Sequence, residues 1–74
     1  MEERLRQIMG KVFNVPSNRI TAETKVETIE NWDSLHHINL VLALEQEFQI
    51  IFAPEKIMEM VSFPKILEIL QQNN

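Results

Sequence analysis

The sequence predicts an all-α fold: a small four-helix bundle with three longer helices, a short third helix, and a long loop between helices one and two. Three observations predict it. Apolar residues recur at helical spacing along most of the chain. One glycine and three prolines punctuate it at few places. The one short apolar run that could be a strand, Ile50-Ile51-Phe52, has no second strand to pair with.

The first helix is placed near residues 2–14. Leu5, Ile8, Met9, Val12 and Phe13 follow i, i+3, i+4, i+7, i+8, which puts them on one face. Pro16 is expected to stop the helix, because the residue before a proline is pushed out of helical geometry. Gly10 inside it costs up to about 1 kcal/mol relative to alanine, so packing must compensate. Residues 16–33 show no sustained period and are read as a loop anchored by Ile20, Val26 and Ile29. A loop of this length is uncommon in a compact domain and is usually functional.

The second helix is the clearest element. Asp33 or Ser34 can cap it, and Leu35 to Phe48 contains neither Gly nor Pro. At about 100° per residue it shows two apolar stripes. Leu40, Val41, Leu44 and Phe48 form one; Leu35, Ile38 and Leu42 lie nearly opposite. Such a helix is buried on both sides or lends one stripe to something else. Ile50-Ile51-Phe52 reads as a buried connection. Ala53-Pro54 opens a short helix near 54–60, with proline at a tolerated early position. Ser62 caps the last helix, whose core face is Phe63, Ile66, Leu67 and Leu70, with Pro64 in its first turn. The tail, Gln71 to Asn74, is expected to fray.

The chain's 74 residues suit one domain, 1–74. A domain this small buries only about 60% of its unfolded surface, leaving little room for a catalytic cleft. With no cysteine, disulfides and thiolate metal sites are excluded. No run approaches the roughly 20 apolar residues that span a bilayer, and Met1-Glu2-Glu3-Arg4 is unlike a signal peptide. A cytoplasmic, soluble monomer is the expectation. The net charge of −4 argues against nucleic acid as a partner. That charge sits in residues 33–60, where Asp33, Glu45, Glu47, Glu55 and Glu59 face only Lys56. This segment should attract basic surfaces and speed encounter with them.

Ser34 stands out by position. A serine at a helix start lies at the positive end of the helix dipole, where a phosphodiester would meet free N–H groups. The plain alternative is an N-cap. A nucleophilic triad has little support, because no oxyanion hole or water-excluding pocket is apparent. His36 and His37 point about 100° apart on a helix and lack the i, i+3 or i, i+4 spacing of helical metal ligands. No metal site is expected. His37 projects toward the core; the Trp32 indole could cover the loop end or offer a flat contact.

The run Trp32-Asp33-Ser34-Leu35, followed by Ile38, Leu40-Val41, Leu44-Glu45 and Glu47-Phe48, resembles the signature of acyl carrier proteins. The resemblance extends over nearly all of the chain, helix by helix. It implies that Ser34 receives a 4′-phosphopantetheine arm from coenzyme A through a phosphopantetheinyl transferase. The protein would then be a carrier without a catalytic site of its own, because the chemistry resides in the arm. Acyl groups would ride on the arm's thiol as thioesters and pass to acyl-loading and acyl-transfer enzymes. By position, the resemblance also implies that Asp33 takes part in recognition by the transferase. It makes Leu35, Ile38 and Leu42 the stripe that partners grip, with a second core face as the alternative. Glu45 and Glu47 become docking acids, with a solvated face as the alternative. Phe52, Ile57 and Met60 would line a cleft able to shelter an acyl chain, with core packing as their everyday role. His36 and Asn39 stand where fatty-acid members usually carry acids, and Trp32 where a small residue is common. These departures point to a specialised, free-standing carrier with few partner enzymes. An aminoacyl or peptidyl carrier would use the same mechanism, and an unmodified helical adaptor would use the same stripe.

Overall fold

The computed structural model describes residues 1–72. Four α-helices are connected in the expected order, with a short third helix and a long first loop. Among the described residues, the only extended pairing is one antiparallel bridge, Lys25 with Ser62.

Helix α1 runs Glu2–Phe13. Leu5, Met9 and Phe13 are buried, with Ile8 and Val12 packed at the margin. Glu2 and Glu3 in the first turn and Lys11 in the last suit the helix dipole. The helix ends earlier than Pro16 would require. Asn14 adopts the left-handed conformation (φ 58°), and its N–H and that of Val15 both donate to the Gly10 carbonyl. Asparagine tolerates that geometry better than most residues. The returning chain also explains Gly10: a Cβ there would lie 2.9 Å from the Val15 carbonyl oxygen.

The loop is built, not slack. It holds two 3-10 turns, Ser17–Arg19 and Val26–Thr28. Ile20 is buried, and Val26 and Ile29 pack against the core, as their spacing suggests. Buried Thr24 accepts the Thr21 amide through its hydroxyl (2.8 Å). Arg6 Nε donates to the Ile20 carbonyl (3.1 Å), and Asn31 Nδ2 to the Phe13 carbonyl (3.1 Å). The bridge adds Val26 N–H to Val61 O (2.9 Å) and Phe63 N–H to Thr24 O (2.8 Å). The loop is thus tied both to α1 and to the segment before the last helix.

Helix α2 spans Ser34–Phe48 and ends on a second left-handed residue, Gln49 (φ 54°). Its buried side is Leu40, Val41 and Leu44. The connection that follows is only partly buried. Phe52 enters the core, while Ile51 is 88% exposed, contrary to the expectation of a buried run. The Glu45 carboxylate accepts the Phe52 amide (3.0 Å), which fixes the connection. Helix α3 is Pro54–Glu59, with proline at its start. Helix α4 is Phe63–Gln72, and the Ser62 hydroxyl accepts the Lys65 amide (3.2 Å) as its cap. Ile69 joins Phe63, Ile66 and Leu70 in the core, while Leu67 is half-buried. Gln71 and Gln72 are helical; the expectation for Asn73 and Asn74 falls outside the described residues.

Candidate functional site at the start of α2

Asp33, not Ser34, caps α2. Its backbone is extended, and Oδ1 accepts the His36 amide at 2.8 Å. The same oxygen lies 2.8 Å from His36 Nδ1, so that nitrogen carries the proton and donates. The backbone bond from His36 and then the bond from its side chain hold the Asp33 carboxyl below its ordinary value of 3.8. The cap leaves Ser34 as the first helical residue, exposed, with its hydroxyl at the mouth of the helix. The helical ladder has no partner for the Ser34 and Leu35 amides. A reachable primary hydroxyl beside such amides suits a phosphodiester, so the residues present fit a phosphopantetheine arm.

Trp32 is buried rather than presented flat to a partner. Its ring packs on Phe13 with centroids 4.8 Å apart. Its Nε1 donates to His37 Nδ1 (3.0 Å), and His37 Nε2 lies 2.9 Å from the Ile57 carbonyl oxygen. An indole N–H can only donate and a carbonyl can only accept. His37 is therefore neutral in this arrangement, with its proton on Nε2. The two histidines have opposite environments: His36 serves the cap, and His37 links the loop end to α3.

A shallow groove opens beside Ser34, lined by Val26, Trp32, Asp33, His37, Met58 and Val61. Met58 is 79% exposed there and Val61 48%. Sequence reasoning singled out neither Met58 nor Val61. Their one sequence signal is that Met58 lies off the apolar spacing of Ile57 and Met60.

The other site candidates sort by burial. Leu35, Ile38 and Leu42 are 64%, 55% and 57% exposed, so the second stripe of α2 faces solvent and is no core face. Glu45 is spent on the Phe52 amide, and Glu47 pairs with Arg4 of α1. Phe52 and Met60 are packed in the core and Ile57 is half-buried. The structure brings Ser34, Asp33 and Leu35 together, and Ile57 reaches their neighbourhood through His37. Glu47 belongs to the far end of α2.

An exposed serine opening the second helix of a four-helix scaffold, with an unpaired apolar stripe beneath it, defines the class of small helical carriers of a swinging arm. A family model described as phosphopantetheine attachment site matches residues 3–70, and the chain belongs to that family. It is similar to the acyl carrier protein of Buchnera aphidicola subsp. Baizongia pistaciae, 26% identical over 97% of this chain and 92% of the relative. It is similar also to the acyl carrier protein of Coprothermobacter proteolyticus, 27% identical over 96% of this chain and 87% of the relative. Its fold matches the solution structure of holo acyl carrier protein from Geobacter metallireducens with a TM-score of 0.85. The identity there is 30%, over 96% of this chain and 82% of that one. The chain is thus of acyl carrier type, and its prosthetic group is 4′-phosphopantetheine. Proteins of this family act as carriers and work with biosynthetic enzymes and a phosphopantetheinyl transferase. Among the described residues, no helix is long and apolar enough to cross a membrane.

Proposed function

We propose that Ser34 is the attachment point and that residues 1–74 work as one carrier domain, monomeric and cytoplasmic, serving a narrow set of enzymes. The observation that carries the reading is the exposed Ser34 hydroxyl at the first position of α2, flanked by the Asp33 cap and exposed Leu35. Ser34 Oγ would lose its proton and take the phosphopantetheinyl group from coenzyme A, forming a phosphodiester as the pyrophosphate bond breaks and adenosine 3′,5′-bisphosphate leaves. The arm supplies a terminal thiol that holds the acyl group as a thioester. The chain's own part is to present, orient and release. Neither histidine is poised as a base for Ser34: His36 is turned onto Asp33, and both ring nitrogens of His37 are engaged. This supports a carrier with no catalysis of its own.

Leu35, Ile38 and Leu42 form the docking stripe, and the surplus of acids in 33–60 draws basic partner surfaces toward it. Glu45 and Glu47 shape this field while holding structure. Association is fast and weak, and added salt slows it. His36 is held by Asp33 and leaves no acid near the start of α2 beyond that residue, which supports service to specialised enzymes.

Incubation with coenzyme A and a broad-specificity transferase tests the reading. Intact mass rises by one phosphopantetheine in the wild type and stays unchanged in Ser34→Ala. A wild type left unmodified beside a working control carrier overturns it in favour of an unmodified adaptor. The mass of the carrier from its native host then separates an acyl cargo from an aminoacyl or peptidyl one.

A further inference from the structure

Trp32, His37 and the Ile57 carbonyl form an unbroken hydrogen-bonded chain from the loop end, through the first turn of α2, to α3. Helix α3 has six residues, too few to be stable without outside support. The Ile57 carbonyl lies in its last turn, where carbonyls lack helical partners. It accepts the Met60 amide (3.3 Å) and the His37 Nε2–H (2.9 Å). The ring of His37 on α2 therefore caps the end of α3.

This link sits at the place where cargo on Ser34 would choose its path. Trp32 and His37 line the groove beside Ser34. Met60 and Phe63 are buried in the core and do not line this groove. The His37–Ile57 hydrogen bond joins α2 to α3 beside Ser34, so a chain entering between these helices there would part it and leave the half-buried His37 Nε2–H without its acceptor. The groove offers a path that breaks nothing, over the exposed apolar surfaces of Met58 and Val61.

We propose that Trp32 and His37 form a clasp that keeps α2 and α3 closed beside Ser34. The acyl group on the arm then rests in the outer groove against Val26, Met58 and Val61, not between the helices against Phe52 and Met60. The proposal rests on the carrier reading above and adds where the cargo lies. His37 is a positioning residue, and Phe52 and Met60 are assigned to packing. Cargo in the groove stays open to water and to partner enzymes, so its size is limited by those enzymes rather than by an internal volume.

The test loads the full chain with acetyl or octanoyl groups, using the acyl-coenzyme A donors and a broad-specificity transferase. It reads methyl resonances and the rate of thioester cleavage by hydroxylamine. In the wild type, octanoyl moves the Met58 and Val61 methyls, leaves Met60 in place, and is cleaved at the rate of acetyl. In His37→Leu and in Trp32→Phe, octanoyl moves Met60, and cleavage slows by about fourfold for each methylene that gains cover. Trp32→Phe keeps a ring against Phe13, so one variant stays folded should His37→Leu unfold. A wild type in which octanoyl moves Met60 and resists hydroxylamine overturns the proposal. So do variants that behave as the wild type. If the chain takes no arm while a control carrier does, the carrier reading fails and the cargo path falls with it. The clasp is then judged separately from imidazole nitrogen shifts, which must place the His37 proton on Nε2 in the unloaded protein.

Discussion

One side of α2 carries Leu40, Val41 and Leu44, and the opposite side carries Leu35, Ile38 and Leu42, residues of like hydrophobicity with opposite placements. The first set is buried, and each residue of the second is more than half exposed. The difference is not in the side chains but in what lies across from them. α1 packs on the first side; the loop, held by its own hydrogen bonds to α1 and to Thr24, leaves the second side uncovered. Three exposed apolar residues in line are not used in the core of the chain, which supports the proposal that partners grip them.

Substitutions on the two sides should sharpen this contrast. Leu44→Ala removes a fully buried side chain from the centre of the core, and denaturant unfolding should show a loss of about 2–5 kcal/mol. Ile38→Ala, nearer the start of the helix on the other side, should leave stability within about 0.5 kcal/mol of the wild type. It should instead raise the transferase KM for the carrier by about tenfold, as loss of an anchor in a docking patch does. Equal stability losses from the two substitutions would break the comparison.

Smaller effects arise at the helix mouth, where the two sides begin. Asp33→Ala should lower the thermal midpoint by less than Leu44→Ala does, and Asp33→Asn should restore most of it, because asparagine caps as well as aspartate. The smallest effect is with acid. Asp33 is held below 3.8, so its contribution is fully present above that value and is lost as pH falls through the lowered value. Carbonyl carbon NMR of Asp33 should titrate below 3.8, and the His36 amide should shift with it. An Asp33 that titrates at or above 3.8 would mean that the cap is not formed in solution.

Much of this was legible in the residues. The i, i+3, i+4 spacing from Leu5 to Phe13 marked α1, and Ser62 before Phe63-Pro64 marked the cap of α4. The triplet Asp33-Ser34-Leu35 marked the start of α2, where the candidate site lies. Less was legible where one residue answers to a distant one. Pro16 looked like the end of α1, but Asn14 ends it, because a left-handed turn there lets two amides reach the Gly10 carbonyl. Ile51 looked buried from its neighbours, yet the Glu45 carboxylate holds the Phe52 amide and sets which side chain turns inward. The hydrogen-bonded link could not be read at all, since it joins Trp32 to His37 and His37 to the backbone carbonyl of Ile57 in another helix.

Taken by itself, the order of residues determined the four helices, the anchors of the loop, and the serine that opens α2. Those depend on local period, on capping and on turn chemistry, which act within a few residues. Only the tertiary structure decided which stripe of α2 meets solvent, which of Asp33 and Ser34 caps, and that His37 holds α3 while His36 holds the cap. Those depend on what packs opposite each side chain. Burial and hydrogen-bond pairing are properties of neighbours in space, and a chain read in order does not place them.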